Sequence, residues 1–534
     1  MNKFFAFSRF FILLFLFGIS KVLNDYIEPS QEFRGVWVSP FSNDISYNSE
    51  SDFKEKMNFI FDTIKEYKMN ALIFHVRIKN DALYKSKYNP QPDYIKKVLN
   101  KEFDPLKWVI EESHLRGIEF HAWLNPYRVE TDLSKTDEEI ISKYIGFPDN
   151  PANDKNNILR GGNSIILNPG LQIVRDFLVK TILELINNYD DIDAIHFDDY
   201  FFNKISTPLF SQDKAIEGDW RREQVNLLIQ SIHENITLFN KKYNKYVQFG
   251  ISPTGVYKNG DGIVTYDNES NAITKGSSTI GQQHFSELFC DSLEWIKKGY
   301  INYLIPQTYW AHDHPNAQYN KVVSWWNKVF LNKKTNLFMG IGLYKCNEIN
   351  SFGWLTNENE LYNQLTFNPE EDENNQKEID GFSIFKFSIL RKLKDGDIDS
   401  ICSKQIKNGI EAWKMKVPPS KIKSFDNIIL PAPKNIKFEN KTLRFNKVDN
   451  AKFYVIYRSK DQNINFNSSE IVEIFGSKEN EVTWDETEEG NFTYGVKALS
   501  YTNTLGEGNT NLKSIGEKIK FNILYSFILL YLLS

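Results

Sequence analysis

Ile192-Asp-Ala-Ile-His-Phe-Asp-Asp-Tyr200 is a short β-rich apolar run that ends abruptly on two adjacent carboxylates. A run of this length bounded by charge reads as a strand covered on both faces, the kind found in parallel sheets. The same unit recurs outward in both directions. Phe33–Ser39, Asn70–Val76 and Ile118–Leu124 precede it, and Val247–Ser252, Tyr303–Thr308, Leu337–Gly342 and Gly381–Phe385 follow. Amphipathic stretches of helical length lie between: Asp52–Tyr67, Leu106–Arg116, Gln172–Asn188, Arg221–Asn240, Phe285–Gly299 and Ala317–Phe330. Arg116-Gly117 and Lys298-Gly299 close two of them with a basic last turn and a glycine cap. Alternation of this kind predicts βαβ units. Eight strands with no glycine-rich phosphate loop after the first predict an α/β fold, a (β/α)8 TIM-type barrel over residues 31–415, rather than an open sheet.

Beyond the barrel the pattern changes. Pro418-Pro419 and Leu430-Pro-Ala-Pro433 mark residues 416–430 as a linker. Residues 431–512 carry short alternating runs (Leu443–Phe445, Phe453–Arg458, Val482–Trp484, Phe492–Leu499) separated by Asn, Asp, Gly and Ser. They read as a small all-β sandwich that resembles a fibronectin type III module. Lys3 and Arg9, the apolar Phe10–Ile19 and the small-x-small Gly18-Ile-Ser20 give residues 1–20 the form of a secretory signal peptide. Residues 521–534 form an almost wholly apolar tail, too short for a comfortable bilayer span. A removed anchoring signal, a membrane-associated tail and a last buried strand all fit it. The expected location is secreted or in the cell envelope, with membrane association through this tail left open.

The net charge of −5 carries no basic footprint, which argues against nucleic acid as a partner. Aromatic residues make up 15% of the chain, permissive for sugar binding without being diagnostic of it. Cys290, Cys346 and Cys402 lie far apart with no metal-ligand spacing and are expected to be buried and unpaired.

In a barrel of this type the chemistry sits at the C-terminal ends of the strands. Those ends read Trp37-Val-Ser-Pro40, His75-Val-Arg77, Trp123-Leu-Asn-Pro-Tyr-Arg128, Asp198-Asp-Tyr200, Ser252-Pro253, Gln307-Thr-Tyr-Trp310 and Gly342-Leu-Tyr344. Charged, amide and aromatic groups recur at one end of the barrel, a mixture suited to a polyhydroxylated substrate. Asp198 and Asp199 are the candidate catalytic pair, because two carboxylates in close quarters push one pKa upward and equip it as a general acid. Trp37, Arg77, Trp123, Asn125, Tyr127, Arg128, His196, Tyr200, Ser252, Gln307, Tyr309 and Trp310 are the candidate substrate-binding residues. His75, His121 and His196 fall inside strand runs without ligand spacing, and His312-Asp-His314 is a weak cluster, so neither a metal nor another cofactor is expected.

Eight stretches in order resemble the bacterial glycosyl-hydrolase-like family ten, once classed as a domain of unknown function. They are Glu32-Phe-Arg-Gly-Val-Trp-Val38, Asp81-Ala-Leu-Tyr84, Phe103-Asp-Pro-Leu106, His121-Ala-Trp-Leu-Asn-Pro-Tyr-Arg128, Leu167-Asn-Pro-Gly170, His196-Phe-Asp-Asp-Tyr200, Gly250-Ile-Ser-Pro253 and Ile305-Pro-Gln-Thr-Tyr-Trp310. The resemblance covers roughly Gln31–Phe387. It implies a TIM-barrel glycosidase of the cell envelope, often followed by a fibronectin-like module, with peptidoglycan glycan strands stripped of peptide as the substrate class. The run also resembles the chitinase strand motif Asp-Gly-x-Asp-x-Asp-x-Glu, but Tyr200 stands where that motif has its catalytic Glu. Substrate-assisted hydrolysis through an N-acetyl group and a two-carboxylate mechanism with Glu32, Asp81 or Asp313 as partner both remain open. So does a catalytically inactive carbohydrate-binding or scaffolding protein on the same barrel.

Overall fold

The computed structural model describes residues 28–42, 44–100, 102–202, 209–214, 217–369, 377–396 and 400–511. The signal-like N-terminus and the apolar tail lie outside these residues. Eight parallel strands close into a barrel: β1 Phe33–Val38, β2 Ala71–Arg77, β3 Glu119–Leu124, β4 Ala194–Phe197, β5 Gln248–Ile251, β6 Tyr303–Leu304, β7 Asn336–Ile341 and β8 Ile379–Ile384. Each strand pairs with its sequence neighbours, and β8 returns to β1. The two-residue period of a strand divides the side chains. Val36, Leu72, Phe74, Phe120, Ile195 and Phe249 point outward into the main core with the helices. Phe33, Trp37, Ile73, Trp123, Tyr303 and Phe338 fill the axis. Gly250 makes room there, since a Cβ would fall 2.0 Å from the Tyr303 ring.

Caps set the helices in register with the strands. Ser49 accepts the Asp52 N–H to start α1 (Glu50–Glu66), and Asp104 accepts those of Leu106 and Lys107 to start α2 (Pro105–Leu115), which carries Pro at its first turn. The following helices are α3 Gln172–Asn188, α4 Asp219–Tyr243, α5 Ser292–Lys298, α6 Tyr319–Val329 and α7 Phe387–Asp395.

Three expectations are corrected. The stretch Phe285–Gly299 is two helices, His284–Glu287 and α5, because Phe289 turns at φ +56° and Asp291 accepts the Glu294 N–H as a fresh cap. The sixth strand stops at Leu304, well short of Thr308, because Pro306 has no N–H to continue a ladder. Cys346 and Cys402 form a disulfide with their Cα atoms 5.1 Å apart, leaving Cys290 as the buried free thiol among the described residues.

Residues past the barrel pack against its N-terminal end. Residues 416–430 are pinned rather than loose. The Pro418 carbonyl accepts the Glu32 N–H at 3.0 Å, the Val417 carbonyl accepts Asn70 Nδ2 at 3.0 Å, and Ser420 Oγ accepts the Phe33 N–H at 2.8 Å. The strands that follow are β9 Lys437–Glu439, β10 Thr442–Asn446, β11 Ala451–Ser459, β12 Glu470–Phe475, β13 Glu481–Asp485, β14 Thr493–Ser500 and β15 Leu505–Thr510. They form sheets ordered β9-β10-β13 and β12-β11-β14-β15, packed face to face over Leu443, Phe445, Tyr454, Val482, Tyr494 and Val496. The outer face of the larger sheet meets the barrel. Lys452 of β11 reaches into the barrel base, its ammonium 2.5 Å from Glu119 and 3.0 Å from Asp193, with all three side chains at most 5% exposed.

Candidate active site

Strand β4 ends at Phe197, so Asp198 and Asp199 emerge at the C-terminal rim of the barrel. The Asp198 carboxylate is buried and held from two sides. Oδ1 accepts the Asp199 N–H at 2.7 Å and the Gln307 side-chain amide at 3.3 Å. That amide also donates to the Ser252 carbonyl at 2.8 Å, which ties the rims of β4, β5 and β6 together. Asp199 is only half-buried, the more accessible of the two. Burial and then the neighbouring charge of Asp198 push its pKa well above the ordinary carboxylate range, against a smaller opposing pull from Arg128. The pair therefore holds a carboxyl suited to proton donation beside an acceptor locked in place.

Aromatic rings wall the site. The Arg128 guanidinium lies 3.7 Å from the centroid of Tyr200, whose hydroxyl is pushed up to about 12 chiefly by the Asp198 charge. Tyr309 stacks on Phe385 at 5.5 Å and meets Tyr344 edge-on, and Phe385 in turn meets Trp37 edge-on at 5.9 Å. Trp123 stacks on His75 at 3.7 Å, and among the described residues its indole N–H has no hydrogen-bond partner. His75 and Tyr344 belong to the strand-end stretches but not to the candidate site residues, and Phe385, which follows β8 directly, joins them here.

Other candidates are placed elsewhere. Arg77 is fully buried and donates to the Asn125 and Pro126 carbonyls at 2.5 and 3.0 Å and to Asn80 at 2.5 Å, clamping the β2 and β3 loops. Asn125 and Tyr127 are also fully buried, and Asn125 donates to the Ile78 carbonyl at 2.9 Å. These three therefore support the rim rather than face a substrate. His196 and Ser252 lie under the floor, hydrogen-bonded to each other at 3.0 Å. Trp310 stays partly exposed and contacts His314.

Each of the three candidate partner carboxylates has hydrogen-bond or ion-pair partners of its own. Glu32 precedes β1 at the opposite end and binds Arg34 at 2.7 Å. Asp81 accepts the Ile78 and Lys79 N–H groups, and Asp313 accepts the Gly353 N–H. His312-Asp-His314 is divided among separate tasks: His312 binds Glu360, and His314 Nδ1 accepts the Asn316 and Ala317 N–H groups. Among the described residues no group of three or more His, Cys, Asp or Glu is arranged to hold a metal ion.

The glycosyl hydrolase-like 10 family matches residues 32–356, which span the strands that build this rim from β1 to β7. Glycosyl hydrolase YngK of Bacillus subtilis is 34% identical over 67% of this chain and 70% of its own length. Glycosyl hydrolase DigH of Escherichia coli K12 is 28% identical over 68% and 85%. Among solved structures, the PgaB (BpsB) glycoside hydrolase domain from Bordetella bronchiseptica aligns with 69% of this chain and 97% of its own, at 11% identity and a TM-score of 0.42, too distant to bear on the reaction.

Proposed function

This chain belongs to the glycosyl hydrolase-like 10 family and is a glycosidase acting on a polysaccharide, and we propose that its substrate is the N-acetylated amino-sugar strand of peptidoglycan, cleaved with help from the substrate's own acetamido group. The observation that carries this reading is the carboxylate inventory at the rim. Asp198 and Asp199 are adjacent, one held as an acceptor and the other favoured in its protonated form, while Glu32 lies at the opposite end of the barrel and Asp81 and Asp313 each accept backbone N–H groups of their own loops. A mechanism with a separate enzymic nucleophile or a remote general base needs a second carboxylate across the scissile bond. An acetamido oxygen removes that need.

In this mechanism the acetamido carbonyl oxygen attacks C1, and the C1–O bond breaks as Asp199 gives its proton to the departing oxygen. Asp198 accepts a hydrogen bond from the acetamido N–H and stabilises the positive charge that grows on the oxazolinium ring. Water then attacks C1, returns a proton to Asp199 and reopens the ring, with net retention. Trp123, Tyr309 and Trp310 supply faces and edges for sugar rings, and Arg128 supplies a cation for the lactyl carboxylate of such strands. The signal-like N-terminus supports export to the envelope, and the three-plus-four strand sandwich supports the fibronectin type III reading.

The test uses soluble glycan strands stripped of peptide, offered in N-acetylated and chemically N-deacetylated form. Mass spectrometry is expected to find new reducing ends only from the acetylated strands. Equal cleavage of both forms contradicts substrate assistance, and cleavage of neither contradicts the substrate class.

A further inference from the structure

Phe352 is held in a conformation that its side chain disfavours. Ser351 to Trp354 form a tight turn, closed by the Trp354 N–H donating to the Ser351 carbonyl at 3.2 Å. Phe352 takes the second position at φ +51° and ψ −129°, where a type II′ turn favours glycine. The glycine comes one residue later, because a Cβ on Gly353 would fall 2.9 Å from Asp313 Oδ1 and 3.1 Å from Ala311 Cβ. Asp313 Oδ1 accepts the Gly353 N–H at 2.7 Å, which fastens the turn to the loop after β6. A bulky residue at such a φ is strained, and strain of this kind gathers where the placement of a side chain has a use.

What the strain achieves is the placement of a ring. Phe352 stays 39% exposed and meets His314 edge-on at 4.9 Å, and His314 meets Trp310 at 6.3 Å, so three rings run in a row along the rim. The row starts beside the candidate site. Trp310 ends the segment whose Gln307 amide holds Asp198, and a Cβ on Gly255 would meet the Gln307 carbonyl oxygen at 2.6 Å and the Trp310 ring at 2.8 Å. Between the outer rings His314 supplies a donor. Its Nδ1 accepts the Asn316 and Ala317 N–H groups, which puts the single proton of the neutral ring on Nε2. Burial lowers its pKa and keeps that ring neutral. Apolar faces for C–H surfaces and an N–H for hydroxyl oxygens are the combination that a sugar ring requires.

We propose that Phe352 and His314 extend the site beyond Trp310 as a subsite for a sugar ring away from the scissile bond, so that the enzyme favours long glycan strands over short ones. This subsite rests on the substrate class proposed above and adds to it a preference for length. Asp313 then has a task of its own, to fix the turn that presents Phe352.

The test measures cleavage and calorimetric binding of N-acetylated, peptide-free glycan oligomers, from disaccharide to octasaccharide, using the full chain. Wild-type KM is expected to fall as the oligomer lengthens. Phe352→Ala is expected to raise KM for the longest oligomer by about three- to tenfold, with kcat within about twofold and the shortest cleaved oligomer unaffected, as the loss of one stacking face would. Phe352→Trp is expected to keep the wild-type length dependence. Phe352→Gly is expected to share the KM defect of Phe352→Ala yet to unfold at a higher temperature than that variant, since glycine takes this φ without strain. A length dependence unchanged in Phe352→Ala overturns the subsite, and a Phe352→Gly protein no more stable than Phe352→Ala overturns the strain that points to it. Should wild-type protein bind the oligomers without cleaving them, the proposed reaction falls while the length dependence of affinity still decides the subsite. Binding of none of them overturns both.

Discussion

Asp199→Asn is expected to lower kcat by about 10²–10⁴-fold, the usual worth of a positioned general acid, while leaving the fold intact. The neutral amide has nearly the shape of the protonated carboxyl but holds no proton it can surrender to a leaving oxygen. The same substitution is expected to alter stability in a definite sense. Asp199 has a folded-state pKa above its unfolded value, through burial and the Asp198 charge. Folding therefore favours its protonated form. The stability it leaves to the protein is full below the ordinary carboxylate value of about 4 and declines as pH rises toward the folded value. Asn carries no such penalty. Thermal unfolding of the two proteins should coincide near pH 4, and the variant should become the more stable of the two as pH increases. Wild-type activity should decline as pH rises through the raised folded-state pKa of Asp199, where it loses its proton. A variant that retains full activity would remove Asp199 from the acid role, and one that unfolds at neutral pH would contradict the stability expectation.

The second large effect concerns the base of the barrel. Lys452→Met is expected to cost about 3–5 kcal/mol in denaturant unfolding, the range seen when one partner of a buried ion pair is removed. Its ammonium stands between Glu119 and Asp193, and the Asp193 carboxylate also accepts the Phe120 N–H at 2.7 Å and meets His114 Nε2 at 2.8 Å. Burial alone would push both carboxyls up, but the Lys452 charge reverses that and holds them below their usual range. Depressed carboxyls contribute stability that is present above their unfolded pKa and lost as pH falls through the folded value, so the wild-type protein should weaken on strong acidification. Adding Glu119→Gln to Lys452→Met removes one stranded charge and is expected to recover part of the loss. A cost below about 1 kcal/mol, the level of a surface pair, would show that this contact does not clamp the sandwich to the barrel.

Much of the barrel was legible because its strands are buried on both faces, which leaves apolar runs such as Leu337–Gly342 in the sequence. The capping residues Ser49 and Asp104 likewise lie just before helices whose periodicity was plain. The insert that pairs Arg128–Glu130 and Ile158–Gly161 with Ser164–Leu167 leaves no signal in the sequence, since its strands are three or four residues long and carry no sustained alternation. The disulfide joins cysteines 56 residues apart, a separation that no local pattern reports.

At the rim, sequence located the strand ends but not the direction in which each side chain leaves them. Arg77 and Asn125 have the chemistry of sugar-binding groups and spend it on loop carbonyls. His75 reads as an ordinary strand histidine and turns out stacked on Trp123. Lys452 could not be assigned from its own neighbourhood, because its partners lie in another part of the chain more than 250 residues away.

The central claim is that Asp198 and Asp199 form the catalytic pair. It is tested most directly by a crystal structure of Asp199→Asn with an N-acetylated, peptide-free glycan oligomer bound. The expected result places a glycosidic oxygen within about 3 Å of the residue 199 side chain and the acetamido N–H on Asp198. An oligomer seated with its glycosidic oxygens remote from both side chains, or with a carboxylate outside this pair nearest the scissile bond, would contradict it.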